Sequence, residues 1–145
     1  MTAPPAPPEI KTNEDLYLTG LRLEQFYNPA YEPYPYYEEA LNRDPGDFRA
    51  NTALGRLYLM RGMFEKAHKH LLRAAARAGQ GYTRPKDGEA LYYLGVALRF
   101  LGKTREAEES FSRASWDVGW ASAAAAQMAE IAAGRHKGVY GRKGE

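Results

Sequence analysis

The chain has three histidines and no cysteine, which leaves few side chains suited to metal binding or nucleophilic catalysis. His68 and His70 are two residues apart in a helical segment, so their side chains diverge by roughly 200° and cannot share a metal ion. Glu65 and His68 are three apart and favour a helical ion pair. His136 lies in a basic stretch without further ligands nearby. These positions predict no metal site and no cofactor.

The remaining candidates for catalysis also have ordinary structural explanations. Glu38-Glu39 and Glu108-Glu109 are adjacent pairs on helices, where neighbouring side chains point apart, so neither forms a paired-carboxylate acid–base site. Residues 97–104 fit a relaxed phosphate-loop pattern, but they are bulky and helical, whereas a phosphate loop needs free backbone amides between a strand and a helix. No serine lies in a nucleophile elbow. We therefore expect a non-enzymatic protein.

Length and composition indicate one globular domain. The 145 residues are 44% hydrophobic and 26% charged. No stretch approaches the ~20 apolar residues of a membrane span, and the start lacks a secretory signal, so we expect a cytoplasmic protein. The formal net charge of +2 has its positive excess in the last eleven residues. The body of the chain is therefore not basic, which argues against nucleic acid as a partner.

Apolar residues recur every three or four positions along most of the chain, which predicts an all-α fold. Short turn sequences, such as the one at 44–47, separate the periodic segments. The pattern predicts seven helices, at 14–27, 35–43, 48–60, 64–78, 88–100, 104–115 and 120–133. We expect a Pro-rich disordered tail or linker at 1–12, a helical repeat domain at 13–134 and a basic flexible tail at 135–145.

Two copies of one pattern of small and large residues carry the clearest signal. Each copy begins with Leu-Gly and continues with large apolar residues and alanines at the same spacings. The copies consist of Leu54, Gly55, Tyr58, Ala67, Leu71 and Ala74, and of Leu94, Gly95, Leu98, Ala107, Phe111 and Ala114. Small residues allow two antiparallel helices to approach closely, and the large residues fill the space between helix pairs.

This pattern resembles the tetratricopeptide repeat (TPR), a helix-turn-helix unit of about 34 residues. The resemblance covers residues 48–78 and 88–115, and weaker units on either side bring the total to about three and a half repeats. It implies a right-handed α-solenoid of antiparallel helix hairpins. Residues 10–44, together with Trp116 and Trp120, also resemble the repeat region of larger bacterial proteins that carry an uncharacterised β-rich domain. Both tryptophans are expected in the core between repeats.

The resemblance implies a concave groove lined by the first helix of each hairpin, where side chains not needed for packing contact a partner. In this sequence those positions are Arg49, Thr52, Arg56, Tyr92, Val96, Arg99 and Phe100. Guanidinium groups beside aromatic surface suit a protein or peptide segment that carries carboxylates and apolar anchors. We therefore expect a protein–protein interaction scaffold. The alternative is that some of these residues pack against a neighbouring helix.

Two other functions are open from the sequence. The chain could be an accessory repeat module of a larger enzyme, such as a carbohydrate-active one, joined through its Pro-rich start. The basic segment 61–77 and the C-terminal tail could instead bind a polyanion, although a solvated outer helix face explains the same charges. The last predicted helix is alanine-rich and has no partner helix, so it also predicts self-association into a homo-oligomer.

Overall fold

A computed structural model describes residues 3–26, 30–78 and 88–142 of the chain. Within these ranges the backbone forms seven α-helices, one short 3-10 helix and no β-strand. The α-helices are α1 (Asn13–Phe26), α2 (Tyr34–Arg43), α3 (Phe48–Met60), α4 (Phe64–Ala78), α5 (Gly88–Phe100), α6 (Thr104–Ala114) and α7 (Val118–Arg142). Each helix packs against the next along the chain, and α5 also contacts α3 and α7. The predicted all-α fold is confirmed.

The last helix is longer than predicted. Helix α7 continues to Arg142 instead of ending near residue 133, so the backbone of the expected tail from 135 onward is helical up to that point. Its alanine-rich sequence has high helix propensity, and the glycines in it are tolerated at about 1 kcal/mol each. Asp117 fixes the start of α7, because one carboxylate oxygen accepts a hydrogen bond from the Gly119 amide and the other from the Gly88 amide of α5.

The Pro-rich start is packed against α2, where the composition predicted a disordered tail. Residues Pro7–Glu9 form the 3-10 helix, and Ile10 is buried. The Tyr36 hydroxyl donates to the Pro5 carbonyl oxygen at 2.8 Å, and the Arg43 guanidinium donates to that of Pro7 at 3.3 Å. Prolines have no amide hydrogen to donate, so carbonyl groups of a Pro-rich segment outnumber its own donors and can accept hydrogen bonds from α2.

The first three hairpins each close where a glycine of one helix meets a large side chain of the next. A Cβ atom built on any of these glycines would lie 2.4 to 2.6 Å from the nearest atom of its partner, so the helices approach more closely than a larger residue permits. The pairs are Gly20 with Tyr37, Gly55 with Leu71, and Gly95 with Phe111. Of the twelve residues in the two copies of the repeat pattern, only Tyr58 is not buried; it is half-buried and stacks on His70.

Asn51 is a fully buried polar side chain between α3 and α4. Its Nδ2 donates to the carbonyl oxygens of Pro45 and Asp47, both at 3.1 Å, so its Oδ1 is the atom that accepts from Nδ1 of His70 at 3.0 Å. Burial, assisted by the positive charge of Arg73, lowers the pKa of His70 to about 4. The imidazole is therefore neutral at pH 7 and carries its proton on Nδ1.

We expect acid to destabilise the fold through His70. Its pKa is about 4 in the folded protein and 6.5 in the unfolded chain, so unfolding takes up a proton and the free energy of unfolding falls between these pH values. Because the ring is only half-buried, we expect a loss of about 1–2 kcal/mol. Urea titrations at neutral and acidic pH should show this loss in the wild type and a smaller one in His70→Gln, and equal losses in both would contradict the prediction.

Candidate functional site

The first-helix face is the surface formed by α1, α3 and α5, the first helices of the three hairpins, and by α7, which follows them. Arg56 of α3 lies at its centre. Its guanidinium donates two hydrogen bonds to the carboxylate of Glu24 on α1, at 2.5 and 3.0 Å, and its Nε lies 4.0 Å from Glu89 of α5. The Tyr37 hydroxyl of α2 donates to the same Glu24 carboxylate. We call Arg56, Glu24 and Tyr37 the Arg56 cluster.

The contacts within the Arg56 cluster fix the charge of its members. Hydrogen bonding to Glu24 raises the pKa of Arg56, so the guanidinium stays positive at any physiological pH. Burial and the hydrogen bond to Glu24 raise the pKa of Tyr37, so its hydroxyl stays neutral and acts as a donor. The carboxylate thus accepts hydrogen bonds from one cation and one hydroxyl, and such charge-assisted bonds are stronger than neutral ones.

Tyrosine rings and further charges surround the cluster. Burial raises the pKa of Tyr17 on α1 and of Tyr93 on α5, and the negative charge of Glu89 raises both further. The Arg49 guanidinium lies 5.3 Å from the centre of the Tyr17 ring and 3.7 Å from a Glu14 carboxylate oxygen. This part of the face therefore offers neutral hydroxyls, aromatic rings and carboxylates in one place.

Arg99 joins α5 to α7 at the other end of the face. Its Nη1 donates to the side-chain oxygen of Gln127 at 2.6 Å and to Glu130 at 2.7 Å. The Gln127 amide donates in turn to the Tyr92 hydroxyl at 3.1 Å. The ring of Tyr92 packs against Trp120 with a centroid distance of 5.2 Å, which places Trp120 between repeats. Tyr92 and Arg99 thus link helices as well as lining the face.

The other predicted groove residues are placed differently. Thr52 is buried, and its hydroxyl donates to the Phe48 carbonyl oxygen at 2.8 Å. Val96 is half-buried and packs on the core. Phe100 is the exposed last residue of α5, and its ring stacks on Phe64 of α4 with a centroid distance of 4.5 Å. Packing against neighbouring elements therefore describes Thr52 and Val96 best.

The acidic partners on this face are absent from the residues predicted to line it. The sequence contains one indication of acidic residues on this face. The residues six positions before the glycines of successive units are Glu14, Arg49 and Glu89. Alternating charges at equivalent positions of parallel helices predict ion pairs between those helices, and Glu14 and Arg49 form one. No spacing of this kind identifies Glu24 or Glu130, since both belong to the weaker terminal units.

The basic residues of segment 61–77 have partners within the chain. Arg77 donates two hydrogen bonds to Asp44, at 2.9 and 3.2 Å. The Arg61 guanidinium lies 4.8 Å from the centre of the Tyr34 ring, and the Lys66 ammonium lies 5.6 Å from another tyrosine ring. Three of the five basic side chains expected to bind a polyanion are thus engaged locally.

The end of the solenoid has an exposed tryptophan in the turn before α7 and a charged groove beside α6 and α7. Trp116 is exposed instead of lying in the core, because it occupies the turn between α6 and α7. The groove beside α6 and α7 is lined largely by charged side chains, including Glu109 and Arg113, and Arg135 pairs there with Glu108. Charged residues of both signs keep such a surface solvated, so it gives no support to the predicted self-association.

Hairpins of antiparallel helices stacked in sequence, with polar and aromatic side chains along their first helices, define a helical-repeat protein. The sequence model of the TT21 fifth ARM repeats domain matches residues 27–132. This match spans nearly three quarters of the chain, and the chain belongs to that family. The family description specifies neither TPR units nor a β-rich domain, so these finer assignments and the bacterial origin stay predictions.

Two further observations bear on the kind of site. Among the described residues, no helix is both long and apolar enough to cross a membrane. The same residues hold no group of three or more histidine, cysteine, aspartate or glutamate side chains arranged to bind a metal ion. The chemistry of the first-helix face is therefore that of ion pairs, hydroxyls and aromatic rings.

Proposed function

We propose that the protein is a non-enzymatic scaffold whose first-helix face binds a segment of another protein. Stacked helical repeats curve, and the concave surface lined by their first helices is the usual place for a ligand. The observation that supports this most is the Arg56 cluster, in which charged and hydroxyl groups from three helices meet on that surface. The repeated pattern of small and large residues supports units of the TPR type.

The accessible charges of the face favour a basic ligand. The side chains of Glu14, Glu89 and Glu130 are 70%, 44% and 67% exposed, whereas those of Arg56 and Arg99 are 22% and 33% exposed and are held by acidic neighbours. Arg49 is 55% exposed and pairs with Glu14, so the acidic side chains still outnumber the exposed basic one. A ligand carboxylate would have to displace one of those neighbours, whereas a ligand cation can reach the exposed part of carboxylates that already pair with arginines of the chain. The proposed ligand is therefore a peptide segment with a basic side chain, and not the carboxylate-rich segment expected from the sequence.

The rings near Glu89 strengthen this choice. Tyr17 and Tyr93 both lie close enough to Glu89 for its charge to raise their pKa values. An arginine or lysine side chain at this point would gain an ion pair and contact with an aromatic ring, and each cation–ring contact contributes about 0.5–2 kcal/mol. The hydroxyls of the tyrosines also supply hydrogen bonds to a peptide backbone.

Reversing the charge of Glu89 tests the proposal. We would measure fluorescence anisotropy with labelled 12-residue peptides that are identical except for a central Arg, Gln or Glu flanked by Tyr and Leu. The Arg peptide should bind the wild type most tightly, and Glu89→Lys should weaken its binding about tenfold, the equivalent of one lost ion pair of roughly 1.4 kcal/mol. Glu109→Lys, an equal change on exposed α6, is the matched control. A preference that Glu89→Lys leaves unchanged, or no peptide binding, would contradict the proposal.

A further inference from the structure

The first helices of the first three hairpins all end in an exposed large apolar residue. Phe26, Met60 and Phe100 are the last residues of α1, α3 and α5, and they are 60%, 73% and 63% exposed. Single exposed apolar residues are common on protein surfaces. Met60 and Phe100 stand five residues after Gly55 and Gly95, and Phe26 stands six after Gly20, so an exposed apolar residue recurs near the end of each of these helices.

Helices α1 and α3 bring their ends to the same edge of the fold. Glu14 pairs with Arg49 near the starts of the two helices, and Glu24 pairs with Arg56 further along both. Two ion pairs in this order require parallel helices. The ends of α1 and α3 therefore lie on the same side of the fold.

The end of α5 occupies the equivalent place in the next hairpin. Met60 and Phe100 each stand two residues before a turn glycine, and these glycines, Gly62 and Gly102, have φ angles of 73° and 80°. The same left-handed turn therefore follows both helices. The Phe100 ring stacks on Phe64 at the start of α4, with the ring planes 1° from parallel. We call the apolar side chains of this region the apolar edge: Phe26, Met60, Met63, Phe64 and Phe100.

The charges nearest in sequence to the members of the apolar edge are mainly positive. Within about one helical turn of its members, the described part of the chain carries exposed basic side chains at four positions and an exposed acidic one at a single position, in addition to the paired residues of the first-helix face. The basic residues are Arg22, Arg61, Lys66 and Lys103, of which Arg61 and Lys66 contact tyrosine rings yet keep exposed surface, and the acidic residue is Glu65. A partner with negative charges around an apolar stripe is complementary to this surface.

We propose that the apolar edge binds an acidic amphipathic helix of a partner protein. Helices α3 and α5 are in contact, and packed helices lie about 8–10 Å apart, so the ends that carry Met60 and Phe100 match apolar side chains about seven residues apart on a helix that rises about 1.5 Å per residue. An extended peptide fits less well, because the described residues include no strand whose backbone could satisfy its amides and carbonyls. A helix satisfies its own amides and carbonyls through internal hydrogen bonds.

A designed peptide tests the acidic-helix assignment. The probe is a 16-residue peptide with leucines at positions seven apart and at the intervening third or fourth positions, glutamates elsewhere, a side-chain cross-link that holds it helical, and a fluorescent label. A second peptide has lysine in place of every glutamate. In anisotropy titrations with the full chain, the glutamate peptide should bind at least about tenfold more tightly than the lysine peptide.

Variants of the edge locate the binding. Met60→Ser with Met63→Ser should weaken binding of the glutamate peptide by at least about tenfold. Leu72→Ser, a change at an exposed apolar residue of α4, should leave the affinity unchanged. Circular dichroism of each variant checks that it is folded, which is expected because the replaced side chains are exposed. Equal binding of both peptides, or equal affinity of the edge variant and the wild type, would overturn the assignment.

The proposed ligands of the apolar edge and of the first-helix face can be tested independently of each other. Glu89→Lys should leave the glutamate peptide bound, and the edge variant should leave the Arg peptide of the preceding section bound, so each surface has its own readout. A second copy of this chain is the main competing occupant of the edge. If light scattering shows a wild-type dimer that the edge variant converts to a monomer, while the glutamate peptide does not bind, the edge is a self-association surface and the acidic-helix proposal is wrong.

Discussion

Replacing Phe111 with alanine is expected to lower the free energy of unfolding by about 3–5 kcal/mol, the usual range for removing a fully buried aromatic side chain. The ring is completely buried between α5 and α6. It lies against the backbone of Gly95 and packs on the Tyr92 ring at a centroid distance of 5.6 Å. Alanine would leave a cavity that two helices already in contact cannot close. Thermal unfolding should occur roughly 10–15 °C below the wild type.

The contact between Gly95 and Phe111 also predicts the effect of enlarging the glycine. A Cβ at Gly95 would lie 2.6 to 2.8 Å from three atoms of the Phe111 ring. Gly95→Ala should therefore destabilise by about 1–3 kcal/mol through overpacking, although alanine has the higher helix propensity. Gly134→Ala is the matched control, because a Cβ at that position of α7 meets nothing within 4 Å. This control should be neutral or stabilise by up to about 1 kcal/mol.

A double-mutant cycle joins the two changes. Phe111→Leu makes room beside Gly95, so the double variant Gly95→Ala with Phe111→Leu should be more stable than the sum of the single effects predicts, by at least about 1 kcal/mol. Urea denaturation of the four proteins measures this coupling energy. A coupling near zero would show that the glycine and the ring do not determine the spacing of α5 and α6.

The fold class could be predicted from the sequence because it depends on local periodicity and on short turns. The spacing of apolar residues identifies helices without knowledge of their neighbours, and it gave seven of them. Where the expectation was wrong, the missing information was tertiary: Tyr36 and Arg43 of α2 hold the Pro-rich start. Trp116 is exposed because of its place in a turn, which its residue type does not reveal.

The charges of the first-helix face were harder to predict than the fold. Arg56 and Glu24 are 32 residues apart in sequence, and a long flexible guanidinium reaches several acidic side chains on neighbouring helices. Which one it contacts depends on the relative tilt of α1 and α3. The predicted groove therefore included Arg56 without its partner, and the sign of the accessible charge could be assigned only from the structure.

Removing Arg56 is expected to produce the second largest loss of stability. Arg56→Ala leaves the Glu24 carboxylate, whose side chain is mostly buried, with the Tyr37 hydroxyl but without its cation. An uncompensated charge in such a place costs about 2–3 kcal/mol, less than for a fully buried pair because solvent still reaches both groups. Urea titrations of Arg56→Ala and the wild type at neutral pH measure the difference. Arg49→Ala, which breaks an exposed pair, should cost less than about 1 kcal/mol.

The geometry of the Arg56–Glu24 ion pair predicts that lysine cannot fully replace arginine at position 56. Arg56 holds both oxygens of Glu24 through two nitrogens, an arrangement that the single ammonium of lysine cannot reproduce. Arg56→Lys should therefore recover only part of the stability lost in Arg56→Ala. Recovery to the wild-type value would show that charge alone, and not the two-point contact, accounts for the effect.

Neutralising the carboxylate separates an unpaired charge from a simple loss of packing. If the cost of Arg56→Ala comes from leaving Glu24 charged and unpaired, then adding Glu24→Gln should restore stability, because glutamine still accepts from the Tyr37 hydroxyl and carries no charge. We expect the double variant to be more stable than Arg56→Ala by about 1 kcal/mol. If instead the double variant is as unstable as the sum of the two single variants, the Arg56 cluster acts through the packing of its side chains, and its charges do not connect α1 to α3.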